Sequence, residues 1–198
     1  MFTKTQAWIM EIFVSKITER FSIRQIARIV NKHYPIVHQS AQALIKGRFL
    51  TKDEHELLAL NCKENHAELS YIESLRKKDF LNKNKEVALF AKDVADSIKH
   101  DFFILLVFGS SVKKGQKPRD TDILLVLAEE KDINSAEKLL QNIASRLGSK
   151  FDINVISAVS VYEMLSKRDQ LNVANETLNN HIILFGAENY YRMLKNAR

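Results

Sequence analysis

The feature that most constrains the fold is a continuous apolar run, residues 102–108, that ends in Gly109-Ser110. After nine further residues, Asp120-Thr121-Asp122 leads directly into a second apolar run, residues 123–127. Short apolar runs bounded by glycine and other turn-forming residues are typical of buried strands. The pattern therefore predicts two strands, the first of which delivers the chain to a tight turn and the start of a helix.

Gly109 and Ser110 are suited to binding a phosphate at this place. A helix N-terminus carries unpaired N–H groups and positive partial charge, and glycine allows a ligand to approach the backbone closely. At strand spacing, the carboxylates of Asp120 and Asp122 point to the same face. Two such oxygen ligands form a Mg²⁺ site that leaves positions open for water and substrate phosphates. The motif therefore predicts metal-dependent phosphoryl transfer.

A third acid, Asp152, lies within a short β-type run, residues 151–156. If this run pairs beside residues 123–127, Asp152 faces the other two aspartates and serves as a base or as a second-metal ligand. We also assign Lys113 to nucleotide binding, because it belongs to a basic loop that either neutralises a triphosphate or simply faces solvent. The basic residues of this loop are Lys113, Lys114, Lys117 and Arg119.

These residues resemble the motif of the polymerase-β-like nucleotidyltransferase superfamily: Gly109, Ser110, Asp120, Asp122 and Asp152. The resemblance covers residues 84–198. In its small size this segment is similar to the minimal nucleotidyltransferases of prokaryotes. Thr121 replaces a usually apolar residue of the family and Arg119 a commonly small one, but no ligand is lost.

The resemblance implies a nucleoside triphosphate (NTP) substrate, ATP or another, with Mg²⁺ as the cofactor. It assigns metal binding and catalysis to Asp120, Asp122 and Asp152. The expected reaction transfers a nucleoside monophosphate to an unidentified acceptor, and AMP is the first candidate for this group. Small members of the superfamily modify antibiotics or proteins, and some act as antitoxins beside a HEPN-type toxin partner. The alternative is a transcriptional regulator whose degenerate transferase domain senses nucleotides.

Composition favours a cytoplasmic protein with two small domains. A chain of 198 residues with 45% hydrophobic residues can bury real cores. The single cysteine, Cys62, excludes an internal disulfide and suits a reducing compartment. No apolar stretch approaches the roughly 20 residues of a membrane span, so no membrane partner is expected.

The positive charge is concentrated in the first part of the chain. Residues 1–78 hold 13 Lys/Arg against 8 Asp/Glu and thus +5 of the net charge of +6, which predicts an N-terminal basic surface.

Three helical patterns and two short apolar runs at the N-terminus resemble the winged helix-turn-helix class of prokaryotic regulators. Ser22 is the expected N-cap of the second helix, and Gly47 is the expected end of the third. The expected helices cover residues 5–17, 23–31 and 35–47, and the expected β-wing covers residues 49–60.

In that class the third helix enters the major groove of double-stranded DNA. Its polar residues are then expected to meet bases: His38, Gln39, Gln42 and Lys46. Basic residues nearby are expected to contact phosphates: Arg24, Arg28, Lys32 and Arg48. The competing interpretation is a protein-interaction module, because Asp53-Glu54 in the wing would repel DNA.

The alternation of helical and strand patterns in the second half predicts an α/β (α+β) domain, and the resemblance implies a mixed sheet. Helices are expected there at residues 87–98, 135–147 and 161–179. The basic run Arg76-Lys77-Lys78 is expected to be a solvated face of a connecting helix. A homodimer is an open alternative for the oligomeric state. The expected segments are a winged helix at 1–62, a connecting helix at 63–83 and a nucleotidyltransferase domain at 84–198.

Overall fold

The structure is a computed structural model that describes residues 1–113, 119–148, 150–166 and 172–196. Within these residues the chain has a mixed α+β architecture, and its strands form a two-stranded and a four-stranded sheet. The described part of the chain contains no helix that is both long enough and apolar enough to cross a membrane.

The N-terminal elements follow the expected helical and strand patterns closely. They are α1 (Lys4–Ser15), α2 (Ile23–Val30), α3 (Tyr34–Lys46), β1 (Leu50–Lys52) and β2 (Leu58–Leu60). Thr3 begins α1 and Ser22 begins α2, and each forms a capping box with the glutamine three residues later. Pro35 lies in the first turn of α3, where its missing N–H costs nothing. The strands β1 and β2 form an antiparallel hairpin.

The remaining elements alternate between helices and strands. They are α4 (His66–Lys83), α5 (Lys85–Ser97), β3 (Phe103–Phe108), β4 (Thr121–Leu127), α6 (Ile133–Leu147), β5 (Phe151–Ser157), α7 (Ala158–Ser166), α8 (Val173–Thr177), β6 (His181–Phe185) and α9 (Ala187–Asn196). The expectation of one helix over residues 161–179 is wrong. Asn172 is extended, at φ −147°, and its side chain accepts the N–H of Asn175 to begin a new helix. Residues 167–171 lie outside the described residues.

The larger sheet has the strand order β5-β4-β3-β6 and is mixed. The central strand β3 is antiparallel to both β4 and β6, whereas β4 and β5 are parallel. A parallel pair needs a crossover connection, and α6 provides it. Both central strands are almost completely buried, which explains why their sequences are continuous apolar runs rather than alternating ones.

The two faces of this sheet pack against different sets of elements. One face packs on α5 and α6 in a smaller core that contains Phe90 and Leu140. The other face shares one larger core with α1–α4, the hairpin and α7–α9, including Phe13 and Leu106. Helix α4 joins these parts, because it contacts α1 as well as β6 and α9. The N-terminal helices and the sheet are therefore stabilised by a common core.

Helix α4 also corrects the expectation that Arg76-Lys77-Lys78 is a solvated face. An Arg76 Nη2 donates to the carbonyl of His181 at 2.6 Å, and Lys77 Nζ donates to the carbonyl of Leu184 at 2.8 Å. Only Lys78 of the three is exposed. Both carbonyl groups belong to β6, a strand at the edge of the sheet, and edge strands need their unpaired backbone groups covered.

We predict that Ile72→Ala, in α4, will lower the stability of the whole chain by about 2–5 kcal/mol, because Ile72 is fully buried in the shared core. Denaturation should be followed by the fluorescence of Trp8, the chain's single tryptophan, and by far-UV circular dichroism. The two transitions should shift together. Ile143→Ala, in the core on the opposite face of the sheet, is the comparison variant, and it should also shift the unfolding transition that Trp8 reports. If Ile143→Ala left the Trp8 fluorescence transition unchanged, the N-terminal helices would unfold independently of the sheet.

Candidate functional site

The strand β3 ends in the turn that the sequence motif predicts. Gly109 has a φ of 70°, and a Cβ at this position would lie 2.4 Å from Oδ2 of Asp122. The backbone N–H of Ser110 donates to the Asp122 carboxylate. The Ser111 hydroxyl donates to the carbonyl of Asp120 and accepts the N–H of Asp122, both at 3.3 Å. The turn is thus tied to the start of β4, and a side chain at position 109 would displace the Asp122 carboxylate.

The helix expected after this turn is a single 3₁₀ turn, Gly109–Val112. Because it is so short, it adds little macrodipole, and a phosphate bound here would rely on individual backbone N–H groups. One of these, the N–H of Ser110, already faces Asp122. A phosphate and the Asp122 carboxylate would therefore share this donor.

The predicted cationic loop is described only in part. Lys113 is exposed at the end of the 3₁₀ turn, and its backbone N–H donates to the carbonyl of Ser110. Arg119 is exposed as well. Lys114 and Lys117 lie outside the described residues. The assignment of Lys113 to a nucleotide phosphate stays a prediction.

The structure brings the three predicted acids together at one end of the sheet. The parallel register places Asp122 opposite Asp152, on strands that lie about 4.8 Å apart. Asp120 immediately precedes β4. Side-chain alternation puts Asp122 and Asp152 on the face that carries Leu124 and Ile156, which is the face of the larger core. Asp120 and Asp152 are exposed and border a shallow depression of about 470 Å³ that Gln141 and Ser145 of α6 also line, whereas Asp122 is half-buried and does not belong to this lining.

Electrostatic repulsion marks Asp122 as the central acid. Burial is the largest cause that raises the pKa of Asp122, and the negative charges of Asp152, Glu176 and Asp120 raise it further. The hydrogen bond from the N–H of Ser110 lowers this pKa and offsets part of the effect. The surroundings therefore disfavour the ionised form of Asp122 and would favour a cation beside it.

Glu176, in α8, is an acid of this site that the sequence analysis missed. Its Oε1 would lie 3.6 Å from a Cβ at position 109, and its charge acts on Asp122. Nothing in the sequence distinguishes Glu176 from a solvated glutamate, because it follows no motif and lies in a helix of five residues. Only the folding of α8 against the Gly109 turn reveals it.

In the described ranges, no group of three or more His, Cys, Asp and Glu side chains is placed to hold a metal ion as the side chains stand. The donor chemistry nevertheless fits Mg²⁺, which prefers carboxylate oxygens. The pKa of Asp122 is raised by burial first and by the negative charges of Asp152, Glu176 and Asp120 second. The residues that would hold Mg²⁺ are Asp120, Asp122 and Asp152. The metal site therefore stays a prediction.

The residues predicted to read DNA are all exposed on α2 and α3: Arg24, Arg28, His38, Gln39, Gln42 and Lys46. Two of the expected phosphate contacts have partners within the chain. Lys32 Nζ lies 5.1 Å from the ring centroid of Trp8, and Arg48 pairs with Glu64 at 3.5 Å. The surface around α2 and α3 also exposes large apolar side chains: Ile29, Tyr34 and Ile36. It therefore suits a protein partner as well as DNA.

The acidic wing is less repulsive to DNA than its sequence indicates. Asp53 accepts the N–H groups of Leu57 and His55 and forms an ion pair with Arg20 at 2.8 Å. The hydrogen bond from Leu57 is the main cause that lowers the pKa of Asp53, and Arg20 adds to it. The carboxylate of Asp53 thus orders the hairpin loop.

We predict that Asp122→Asn, measured without divalent cations, will be more stable than the wild type at pH 7. The folded-state pKa of Asp122 is raised above its ordinary value of 3.8, so the ionised carboxylate costs stability once the pH rises through the folded-state pKa. Below pH 3.8 the gain should vanish. Denaturant unfolding at pH 7 and pH 3.5 measures the difference in stability between Asp122→Asn and the wild type. Asp96→Asn, at an exposed position of α5, is the control. Equal or lower stability of Asp122→Asn at pH 7 would contradict the assignment.

Comparison with known proteins assigns no family to the chain: no family model, no curated protein and no solved structure matches it.

Proposed function

We propose that the chain is a Mg²⁺-dependent nucleotidyltransferase that transfers a nucleoside monophosphate from an NTP to an acceptor hydroxyl. AMP is the first candidate for the transferred group. One observation carries the proposal. The Gly109 turn lies against Asp122, which accepts the N–H of Ser110, and the strand of Asp122 pairs in register with that of Asp152. Phosphate-binding groups and hard oxygen ligands are thus available at a single place, as phosphoryl transfer requires.

Each group has a distinct part in the proposed reaction. Bound Mg²⁺ would neutralise charge on the triphosphate. The N–H of Ser110 is shared between the Asp122 carboxylate and a phosphate oxygen, and the missing side chain at Gly109 leaves room for that carboxylate. The exposed carboxylate of Asp152 accepts the proton of the acceptor hydroxyl while the hydroxyl oxygen bonds to the α-phosphorus and pyrophosphate leaves.

The position of Asp152 bears on the size of the acceptor. Strand β5 lies at an edge of the sheet, and the side chain of Asp152 is exposed. An acceptor as large as a protein can therefore reach this carboxylate. Modification of a HEPN-type toxin by a nucleotidyltransferase antitoxin would be one such reaction, and a second copy of the chain in a homodimer is another candidate acceptor.

We predict that Asp152→Asn will keep much of the Mg²⁺–NTP affinity but lose transfer of label from α-labelled NTP to acceptors in cell lysate. Asp120→Asn combined with Asp122→Asn should abolish metal-dependent nucleotide binding, because both hard ligands at the start of β4 are lost. Calorimetry measures the affinity, and autoradiography measures the transfer. Asp96→Asn is the control and should behave as the wild type.

Two outcomes would contradict this function. One is an unchanged Mg²⁺–NTP affinity in the double variant, which would reject the metal ligands. The other is the absence of labelled product in the wild type with all four NTPs, which would leave nucleotide sensing as the better explanation.

A DNA-binding regulator is the second candidate function, and the exposed face of α2 and α3 favours it. The helices α1–α3 and the antiparallel hairpin support a winged-helix assignment, in which Gln42 would face the major groove. Both functions are compatible in one chain, since the acids and this face lie on different elements.

We predict that full-length protein will bind duplex DNA with an affinity that falls steeply with salt, because neutralised phosphates release counterions. Arg24→Ala and Arg28→Ala should each weaken binding to all sequences and reduce the salt slope by about 1. Gln42→Ala should instead relax sequence preference, by about 1–3 kcal/mol at the contacted base pair. Lys92→Ala, exposed on α5, is the control. Gel-shift titrations that detect no duplex binding at low salt would reject the DNA function.

A further inference from the structure

A buried ionic cluster lies between α4 and β6. Glu73 is 1% exposed, and its carboxylate binds Arg76 at 2.6 Å, Nε2 of His181 at 3.2 Å and the hydroxyl of Tyr191 at 2.7 Å. Both His181 and Tyr191 are fully buried. Because a carboxylate only accepts hydrogen bonds, Nε2 of His181 carries the proton in this contact. The carboxylate of Glu73 is thus well satisfied, and the guanidinium of Arg76 is its ion-pair partner.

The electrostatics keep Glu73 ionised in this environment. Burial is the largest single effect and raises the pKa of Glu73, but Arg76, His181 and Tyr191 together outweigh it, so that the pKa lies below its usual value. An ion pair buried in this way is weak evidence for a gain in stability, because apolar residues of similar volume often stabilise as well. The cluster therefore calls for an explanation other than stability.

The geometry of Arg76 supplies that explanation. One guanidinium nitrogen holds Glu73, and the other donates to the carbonyl of His181 at 2.6 Å. The preceding carbonyl, that of Asn180, accepts the N–H of Gly109 at 3.2 Å. In the sheet register His181 also pairs with Phe108. A continuous chain of short contacts thus runs from α4 through the start of β6 to the Gly109 turn.

This turn tolerates little displacement. A Cβ at position 109 would already lie 2.4 Å from Oδ2 of Asp122, and the neighbouring N–H of Ser110 binds the same carboxylate. Strand β6 lies at the edge of the sheet, where one side has no strand to hold it. The position of its first residues therefore depends on side chains such as Arg76.

We infer that Arg76, held by Glu73, is a positioning residue that fixes the Gly109–Ser110 turn against Asp122 by anchoring the first residues of β6. Its effect on nucleotide binding rests on the proposed function, whereas its effect on the turn does not. A guanidinium suits this task because its planar fork reaches a carboxylate and a carbonyl at once, which an ammonium group does not.

The chain offers a matched control in the adjacent residue. Lys77 Nζ donates to the carbonyl of Leu184, on the same strand and from the same helix, but three residues further from Gly109. Arg76→Lys keeps a positive charge beside Glu73 and should fold, but it loses the fork. Lys77→Met removes a comparable hydrogen bond without affecting the His181 carbonyl. Glu73→Gln combined with Arg76→Met is a second variant that removes both charges of the buried pair.

The test measures backbone amide hydrogen exchange at Gly109 by NMR in full-length protein, with Leu125 in central β4 as the internal reference. In Arg76→Lys, exchange at Gly109 relative to Leu125 should rise about tenfold or more, because the turn opens locally. In Lys77→Met this ratio should stay at the wild-type value. The double variant should behave as Arg76→Lys does. Unchanged relative exchange at Gly109 in both Arg76 variants would overturn the inference, as would an equal rise in Lys77→Met.

Nucleotide affinity is measured on the same samples, below the unfolding transition. Where wild-type protein binds Mg²⁺–ATP, Arg76→Lys should weaken binding about tenfold and Lys77→Met less than twofold, since only the first variant loosens the turn. Unweakened binding in Arg76→Lys would overturn the link to the nucleotide. Wild-type protein that binds no nucleotide would reject the proposed function, while the exchange at Gly109 would still decide whether Arg76 positions the turn.

Discussion

Burial of one stripe of α4, which contacts both the N-terminal helices and β6, is the constraint on which the rest of the chain depends. Leu69, Ile72, Glu73 and Arg76 recur at the spacing that places side chains along one stripe of a helix. The apolar members of the stripe belong to the core shared with the N-terminal helices, and the charged members hold β6. Because a single helix serves both contacts, the N-terminal helices, the sheet edge and the Gly109 turn cannot vary independently in position.

The acids at the end of the sheet break the usual rule that like charges are kept apart. The parallel register brings Asp122 beside Asp152, and the fold adds Glu176 from a distant part of the chain. Such an arrangement costs stability in the absence of a cation, and proteins retain local costs of this kind chiefly at functional sites. Asp122 and Asp152, which the sequence motif also contains, are therefore distinguished by their electrostatics without any family resemblance.

Much of this architecture could be predicted because it depends on short-range patterns. The apolar runs of β3 and β4 are continuous since both faces are buried, and strand alternation fixes the face on which Asp122 lies. Glu176 and the role of Arg76 could not be predicted, because each depends on contacts between segments far apart in the sequence. One signal was present for Glu73, since it falls on the apolar stripe of α4, where a solvated acid would not be expected.

The end of α1 is fastened to the end of α8 across almost the whole length of the chain. The N–H of Ile17 donates to the carbonyl of Leu178 at 3.0 Å, and Thr18 exchanges hydrogen bonds with the side chain of Asn179. During synthesis, residue 17 leaves the ribosome long before residues 178 and 179 are made. Until then, part of the apolar surface of the N-terminal helices stays exposed. Contacts between residues so far apart in the sequence also form slowly. The contact between the end of α1 and the end of α8 can therefore form only after almost the whole chain has been synthesised.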